Sequence, residues 1–198
     1  MKSLTIAVGV LVAGLNLSAT TITNGSFETP VLGGTTYTPA GATWVFSGFS
    51  GIATNSSGTF FAAPNGTQVG FLQVFQQNSS SFSETITGVN VGDTISFRDA
   101  LRPGYGADSY NVLYNGTLLG SFTPGSTTFT LKSVVIPVGA ASSGTLLFQS
   151  TGALGGDIAV AIDDVRSPAA TVPEPSSIVL FLSGICGAIL LQRRRRTA

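Results

Sequence analysis

An all-β fold, in particular a jelly-roll β-sandwich, is what this sequence predicts. The body between residues 20 and 167 is rich in Thr, Ser, Gly, Val and Phe. Its short apolar or alternating runs are separated by turn formers, and no stretch of it holds a helical period. Many short strands at this spacing favour two packed antiparallel sheets over a parallel α/β sheet. Roughly 150 residues suffice to bury one core, so one domain is expected.

Each element has its own signal. Residues 67–75 alternate in their first half and then become mixed, and read as a strand. Val91-Gly92-Asp93 is a turn that delivers the strand beginning at Thr94-Ile95-Ser96-Phe97. Residues 109–114 run into Asn115-Gly116 and resume at Thr117-Leu118-Leu119; an Asn-Gly pair between two such runs is the strongest short-range hairpin signal. Residues 127–136, 145–149 and 158–165 complete a set of about ten strands. No internal repeat is present, and Ser167-Pro168-Ala169-Ala170-Thr171 reads as a linker.

Composition excludes several classes. The whole chain carries 9 Lys and Arg against 9 Asp and Glu. Five of those cations, Lys2 and Arg193 to Arg196, sit at the chain ends. The body keeps Arg98, Arg102, Lys132 and Arg166 against Glu28, Glu84, Asp93, Asp99, Asp108, Asp157, Asp163 and Asp164, and is mildly acidic. Without a basic stripe, a nucleic-acid partner is not expected. The single cysteine, Cys186, lies in the C-terminal apolar run, so no intrachain disulfide is possible. The chain has no histidine, which removes Ser-His-Asp and Cys-His arrangements and the usual zinc ligands. A glycosidase needs two carboxylates about the scissile bond, and the acids here are adjacent in one strand or scattered through turns. The reading is not an enzyme.

The two ends of the chain read as addresses. Residues 1–19 have the form of a signal peptide: Lys2, an apolar stretch from Leu4 to Leu15, and small residues Ser18 and Ala19, with cleavage expected after Ala19. At the other end, Pro173-Glu174-Pro175 leads into an apolar run at 178–191, closed by Arg193, Arg194, Arg195 and Arg196. That order resembles the PEP-CTERM sorting signal, which implies processing by an exosortase-type membrane protease in bacteria. The apolar run of about 14 residues is short for a bilayer span of roughly 20, and its flanking polar residues extend it at the interfaces. The resulting division is a linker with the Pro-Glu-Pro motif at 168–175, a transmembrane helix at 176–192 and a basic cytoplasmic tail at 193–198. Four arginines at one end place the body outside the cytoplasmic membrane. The expected location is the cell envelope or extracellular matrix, after transient anchoring in the membrane.

Two motifs suggest which sandwich this is. Asn24-Gly25-Ser26-Phe27-Glu28 stands near the start, followed by Trp44-Val45-Phe46, and Ala161-Ile162-Asp163-Asp164-Val165 stands near the end. The pairing resembles the galactose-binding-like jelly rolls, a group that includes many carbohydrate-binding modules. In such folds the first and last strands lie near each other. The resemblance implies a structural calcium ion, for which carboxylate oxygens are suitable hard ligands. Glu28 and Asp164 are the first candidates and Asp163 the weaker one, because neighbours in a strand point to opposite faces. Solvated or hydrogen-bonded carboxylates without metal are the alternative.

The case for sugar rests on aromatics, whose faces pack on sugar rings while polar groups fix the hydroxyls. The segment 101–108 places Arg102, Tyr105 and Asp108 in a Gly/Pro loop between two strands, so Arg102 and Tyr105 are the candidate carbohydrate contacts. The alternatives are loop packing for Tyr105 and a salt bridge to Asp99 or Asp108 for Arg102. Trp44, the only tryptophan, sits where the resembling domains bury one and reads as core. Gln73, Gln76 and Gln77 would suit a polar sheet face. Two functions follow: a domain that binds surface or matrix polysaccharide, or a structural matrix unit without a sugar site.

Overall fold

The computed structural model describes residues 19–75, 80–152 and 156–167. Residues 1–18 and 168–198, which carry most of the expected signal peptide and the whole sorting tail from Pro173 to Arg196, lie outside the described residues. Among those described, no helix is long and apolar enough to cross a membrane.

Among the described residues, eleven strands form two antiparallel sheets. They are β1 (Thr36–Tyr37), β2 (Val45–Ser47), β3 (Ser50–Thr54), β4 (Gln68–Val74), β5 (Ser81–Thr87), β6 (Thr94–Leu101), β7 (Tyr110–Tyr114), β8 (Thr117–Phe122), β9 (Thr130–Val135), β10 (Ser143–Ser150) and β11 (Ile158–Arg166). One sheet runs β1-β3-β4-β11-β6-β9 and the other β2-β5-β10-β7-β8. The β7–β8 hairpin turns at Asn115 and Gly116, both at positive φ (47° and 78°), as the Asn-Gly pair predicts for a type I′ turn. Outside the strands, the regular structure among the described residues is a single 3-10 turn, Asn55–Ser57.

The inter-sheet core is aromatic. Phe27, Trp44, Phe82, Phe97, Tyr110 and Phe148 meet there with Ile52, Leu72, Ile86, Ile95, Leu146, Val160 and Ile162. Trp44 is 2% exposed, packs at 5.3–6.0 Å centroid separation on Phe27, Phe82 and Phe148, and donates its indole N–H to the Asn24 carbonyl at 3.1 Å. A buried indole keeps its one donor satisfied in this way.

The ends of the domain are stitched together. Val165 N–H donates to the Gly25 carbonyl at 2.9 Å. The Asn24 amide brackets the same turn, donating to the Thr29 carbonyl and accepting from the Thr29 N–H. The turn inserts Phe27, at φ 58°, over Gly70 of β4. The six-stranded sheet is covered on its outer face as well. There Val69, Phe71, Ala159 and Ala161 form a second apolar cluster with Ala53 under Phe60 and Phe129. All seven residues of β4 are consequently buried.

Candidate functional site

The outer face of the six-stranded sheet holds a cleft of about 260 Å³ lined by Thr35, Tyr37, Thr59, Phe60, Phe71, Gln73, Arg102 and Ala159. Alternation along β4 sends Leu72 to the inter-sheet core and Phe71 and Gln73 to this side. β1 brings Tyr37 edge-on to Phe71, at 5.2 Å and 84°. Tyr37 also meets Phe49 edge-on at 6.0 Å, and Phe49 meets Phe75 at 5.8 Å, so an aromatic row continues beyond the cleft.

A chain of polar contacts crosses this apolar wall. Tyr37 Oη donates to Gln73 Oε1 at 2.6 Å, and Gln73 Nε2 donates to Asp157 Oδ1. Arg102 Nη1 approaches both Asp157 oxygens, at 3.2 and 3.4 Å. The Arg102 guanidinium carbon lies 3.7 Å from the centroid of the Tyr105 ring. Thr35 and Thr59 hydroxyls pair at 2.8 Å. Burial raises the Tyr37 phenol above its ordinary range; the Asp157 charge adds to this, while the Arg102 charge and the Gln73 hydrogen bond oppose it. The arrangement offers what sugar rings require, an aromatic wall and hydrogen-bonding groups held in fixed positions.

The two residues singled out from sequence for carbohydrate thus stand together, with Arg102 in the cleft and Tyr105 stacked over it. The salt-bridge partner of Arg102 is Asp157, not Asp99 or Asp108. Asp99 accepts from Tyr110 Oη across the sandwich at 2.9 Å and from Thr130 Oγ1 at 2.7 Å, with Lys132 Nζ at 3.7 Å. Asp108 is fully buried beneath the loop, where Oδ1 accepts from Ser150 Oγ and Gly152 N–H. Gln73 lies on the site face, while Gln76 and Gln77 lie outside the described residues. Tyr37, Phe71 and Asp157 escaped the sequence reading. Tyr37 sits in a two-residue strand, and Asp157 follows a glycine pair with nothing local to mark it. A second cleft on the same face, about 510 Å³, is lined by Phe61, Ala62, Pro64, Thr127, Thr128 and Phe129, and Phe61 is exposed.

The three acids considered for metal take different partners. Glu28 accepts from the amides of Thr67 and Gln68, both at 2.8 Å, and from Thr67 Oγ1 at 2.9 Å. Asp163 accepts from Asn65 N–H at 2.8 Å, on the same 65–68 turn. Its other oxygen, Oδ1, is buried without a hydrogen-bond partner. Burial pushes the Asp163 carboxyl up to about 7, against the amides of Asn65 and Asp164, and the charges of Asp164 and Glu28 add to the rise. Asp164, at φ 54° in a bulge of β11, turns to Arg98 (3.5 Å) and Arg166 (3.3 Å). Among the described residues no three His, Cys, Asp or Glu gather as a metal cluster. A cation here would therefore rest on Glu28 and Asp163 with backbone carbonyls and water. The orphaned, buried Oδ1 is a hard oxygen of the type calcium accepts, while the Glu28 oxygens already receive three hydrogen bonds.

No family model and no curated protein matches this chain. Among solved structures, the carbohydrate-binding module TmCBM61 in complex with beta-1,4-galactotriose is similar, with a TM-score of 0.51 and 17% identity over 75% of this chain and 97% of that one. The K2 cleaved adhesin domain of Lys-gingipain is similar with a TM-score of 0.55 and 13% identity, over 72% and 94%. At such identities the likeness is one of fold: an all-β sandwich of two antiparallel sheets.

Proposed function

We propose that residues 20–167 bind polysaccharide through the cleft bounded by Tyr37, Phe71, Gln73 and Arg102, without catalysis. The observation that carries this reading is the polar chain Tyr37–Gln73–Asp157–Arg102 laid across an aromatic wall, with Tyr105 exposed at its end. Sugar hydroxyls would exchange hydrogen bonds with the chain while a ring face packs on the aromatic side chains. The fold likeness to a module complexed with a galactotriose supports the same direction. Glu28 and Asp163 would hold a structural calcium ion, which would supply the counter-charge that the buried Asp163 lacks and tie the 65–68 turn to β11. The ends of the sequence support export, transient anchoring at 176–192 and sorting by an exosortase-type protease, which would leave the domain at the cell surface or in the matrix.

A glycan array or affinity gel tests the binding reading. Tyr37→Ala and Tyr105→Ala should each weaken retention on whatever glycan the parent binds, with folding unchanged. Arg102→Lys should also weaken it, since lysine keeps the charge but loses the flat guanidinium that lies over the Tyr105 ring. Uniformly negative binding by the parent would move the weight to a structural matrix unit. That second reading is favoured by the edge strands β8 and β9, which end their sheets with Leu118, Leu131 and Val135 exposed.

A further inference from the structure

The charge arrangement of the domain bears on which glycan the proposed cleft would take, and this inference rests on that glycan-binding reading. Among the described residues there are four cations, and each is engaged by an aspartate. Arg102 meets Asp157 at 3.2 Å, and Lys132 meets the buried Asp99 at 3.7 Å. Arg98 and Arg166 share Asp164, at 3.5 and 3.3 Å, close to the further carboxylates of Asp163 and Glu28. Glu84, Asp93 and Asp108 have no cation partner among the described ion pairs, so the surplus charge is negative.

The cleft repeats this pattern locally. Arg102 is the charged residue of its lining, with its side chain 19% exposed. One of its terminal nitrogens faces both oxygens of Asp157, and the Tyr105 ring covers the plane of the guanidinium. A carboxylate or sulfate on an incoming sugar would have to displace Asp157 or approach it. Like charges brought together at a partly dry surface cost binding energy. A neutral hydroxyl meets no such penalty, and the Tyr37–Gln73–Asp157 chain offers it both donors and acceptors.

We infer that the ligand of this cleft is an uncharged glycan, and that Asp157 is the residue that sets this choice by neutralising Arg102. Asp157→Asn keeps an acceptor oxygen for Gln73 and Arg102 while freeing the arginine charge for an anionic sugar.

The test is affinity electrophoresis of the full chain in non-ionic detergent, through gels containing neutral galactan, neutral xylan, polygalacturonate or alginate, at low and high salt. The expected result is retention of the parent by a neutral gel, little changed by salt, and none by the uronate gels. Asp157→Asn should gain about two- to fivefold in retention on a uronate gel at low salt, and lose that gain at high salt, where exposed charges are screened. Asp157→Ala, which removes the same charge by a different side chain, should show the same gain should the asparagine variant misfold. Uronate binding by the parent equal to its neutral binding overturns the inference and leaves glycan binding standing. Neutral binding by the parent with no uronate gain in either variant overturns the role of Asp157. Retention by none of the gels overturns the glycan reading and this inference with it.

Discussion

Gly25 lies directly against the backbone of Val165: its carbonyl accepts the Val165 amide at 2.9 Å, and a β-carbon placed on it would stand 1.9 Å from the Val165 carbonyl oxygen. The opening turn and the closing strand therefore meet backbone to backbone, and only glycine permits that approach.

Gly25→Ala should accordingly destabilise the domain by at least about 1–3 kcal/mol, since the added methyl group meets main chain and not a movable side chain. Gly33→Ala is the control: nothing lies within 4 Å of a β-carbon there. It should be neutral or stabilising by up to about 1 kcal/mol. Chemical denaturation of both variants checks the contrast, and equal stabilities would remove the Gly25–Val165 contact as a determinant.

Trp44→Ala should cost about 3–5 kcal/mol, because the indole fills the centre of the inter-sheet core. As the single tryptophan, Trp44 reports its own burial. Emission should be blue-shifted in the native protein and move to the red on unfolding; a native spectrum already at long wavelength would contradict the packing.

Asp108 predicts a pH dependence. Its Oδ2 is buried without a partner, and burial pushes the carboxyl up to about 6, opposed by hydrogen bonds from Ser150 and Gly152. A folded-state pKa above the unfolded value means that folding binds a proton between about pH 4 and 6, so this group destabilises the fold as pH rises through that window. Asp108→Asn should gain stability on the order of 2–3 kcal/mol at pH 7 and almost none at pH 4. Thermal melts of both proteins across that range check the difference, and a gap independent of pH would refute the titration.

If calcium occupies the Glu28–Asp163 pair, its addition should raise the melting temperature. The gain corresponds to about 2.7 kcal/mol when free ion is a hundredfold above its dissociation constant. Glu28→Gln and Asp163→Asn should abolish the response, and Asp164→Asn should preserve it, because Asp164 is committed to Arg98 and Arg166. Identical melts with calcium and with chelator would remove the ion from the account.

For the sorting reading, replacing Pro173, Glu174 and Pro175 by alanine should leave membrane insertion intact and block processing, so that a longer membrane-bound form accumulates. Mass spectrometry and fractionation of cells carrying the variant check this, and an unchanged mature mass would reject the tail as a recognition signal.

By itself the sequence determined the all-β class, the Asn115-Gly116 hairpin, strands β4, β6, β7, β10 and β11 to within a few residues, and the burial of Trp44. These rest on local chemistry: turn residues that accept positive φ, and side-chain alternation with one buried face. The outer layer of the six-stranded sheet was decided by tertiary structure. β4 is buried along its whole length because Phe60 and its neighbours cover a second face, which is why the alternation of residues 67–75 holds only in part. The cleft was decided the same way. Tyr37, Gln73, Arg102 and Asp157 come from β1, β4, the loop after β6 and the approach to β11, and no spacing in a linear chain records that pairing order. The metal candidates show the limit most plainly. Alternation foretold that Asp163 and Asp164 diverge, but only the bulge at φ 54° and the positions of Arg98, Arg166 and the 65–68 turn decided that Asp164 meets two arginines while Asp163 and Glu28 bond the same turn.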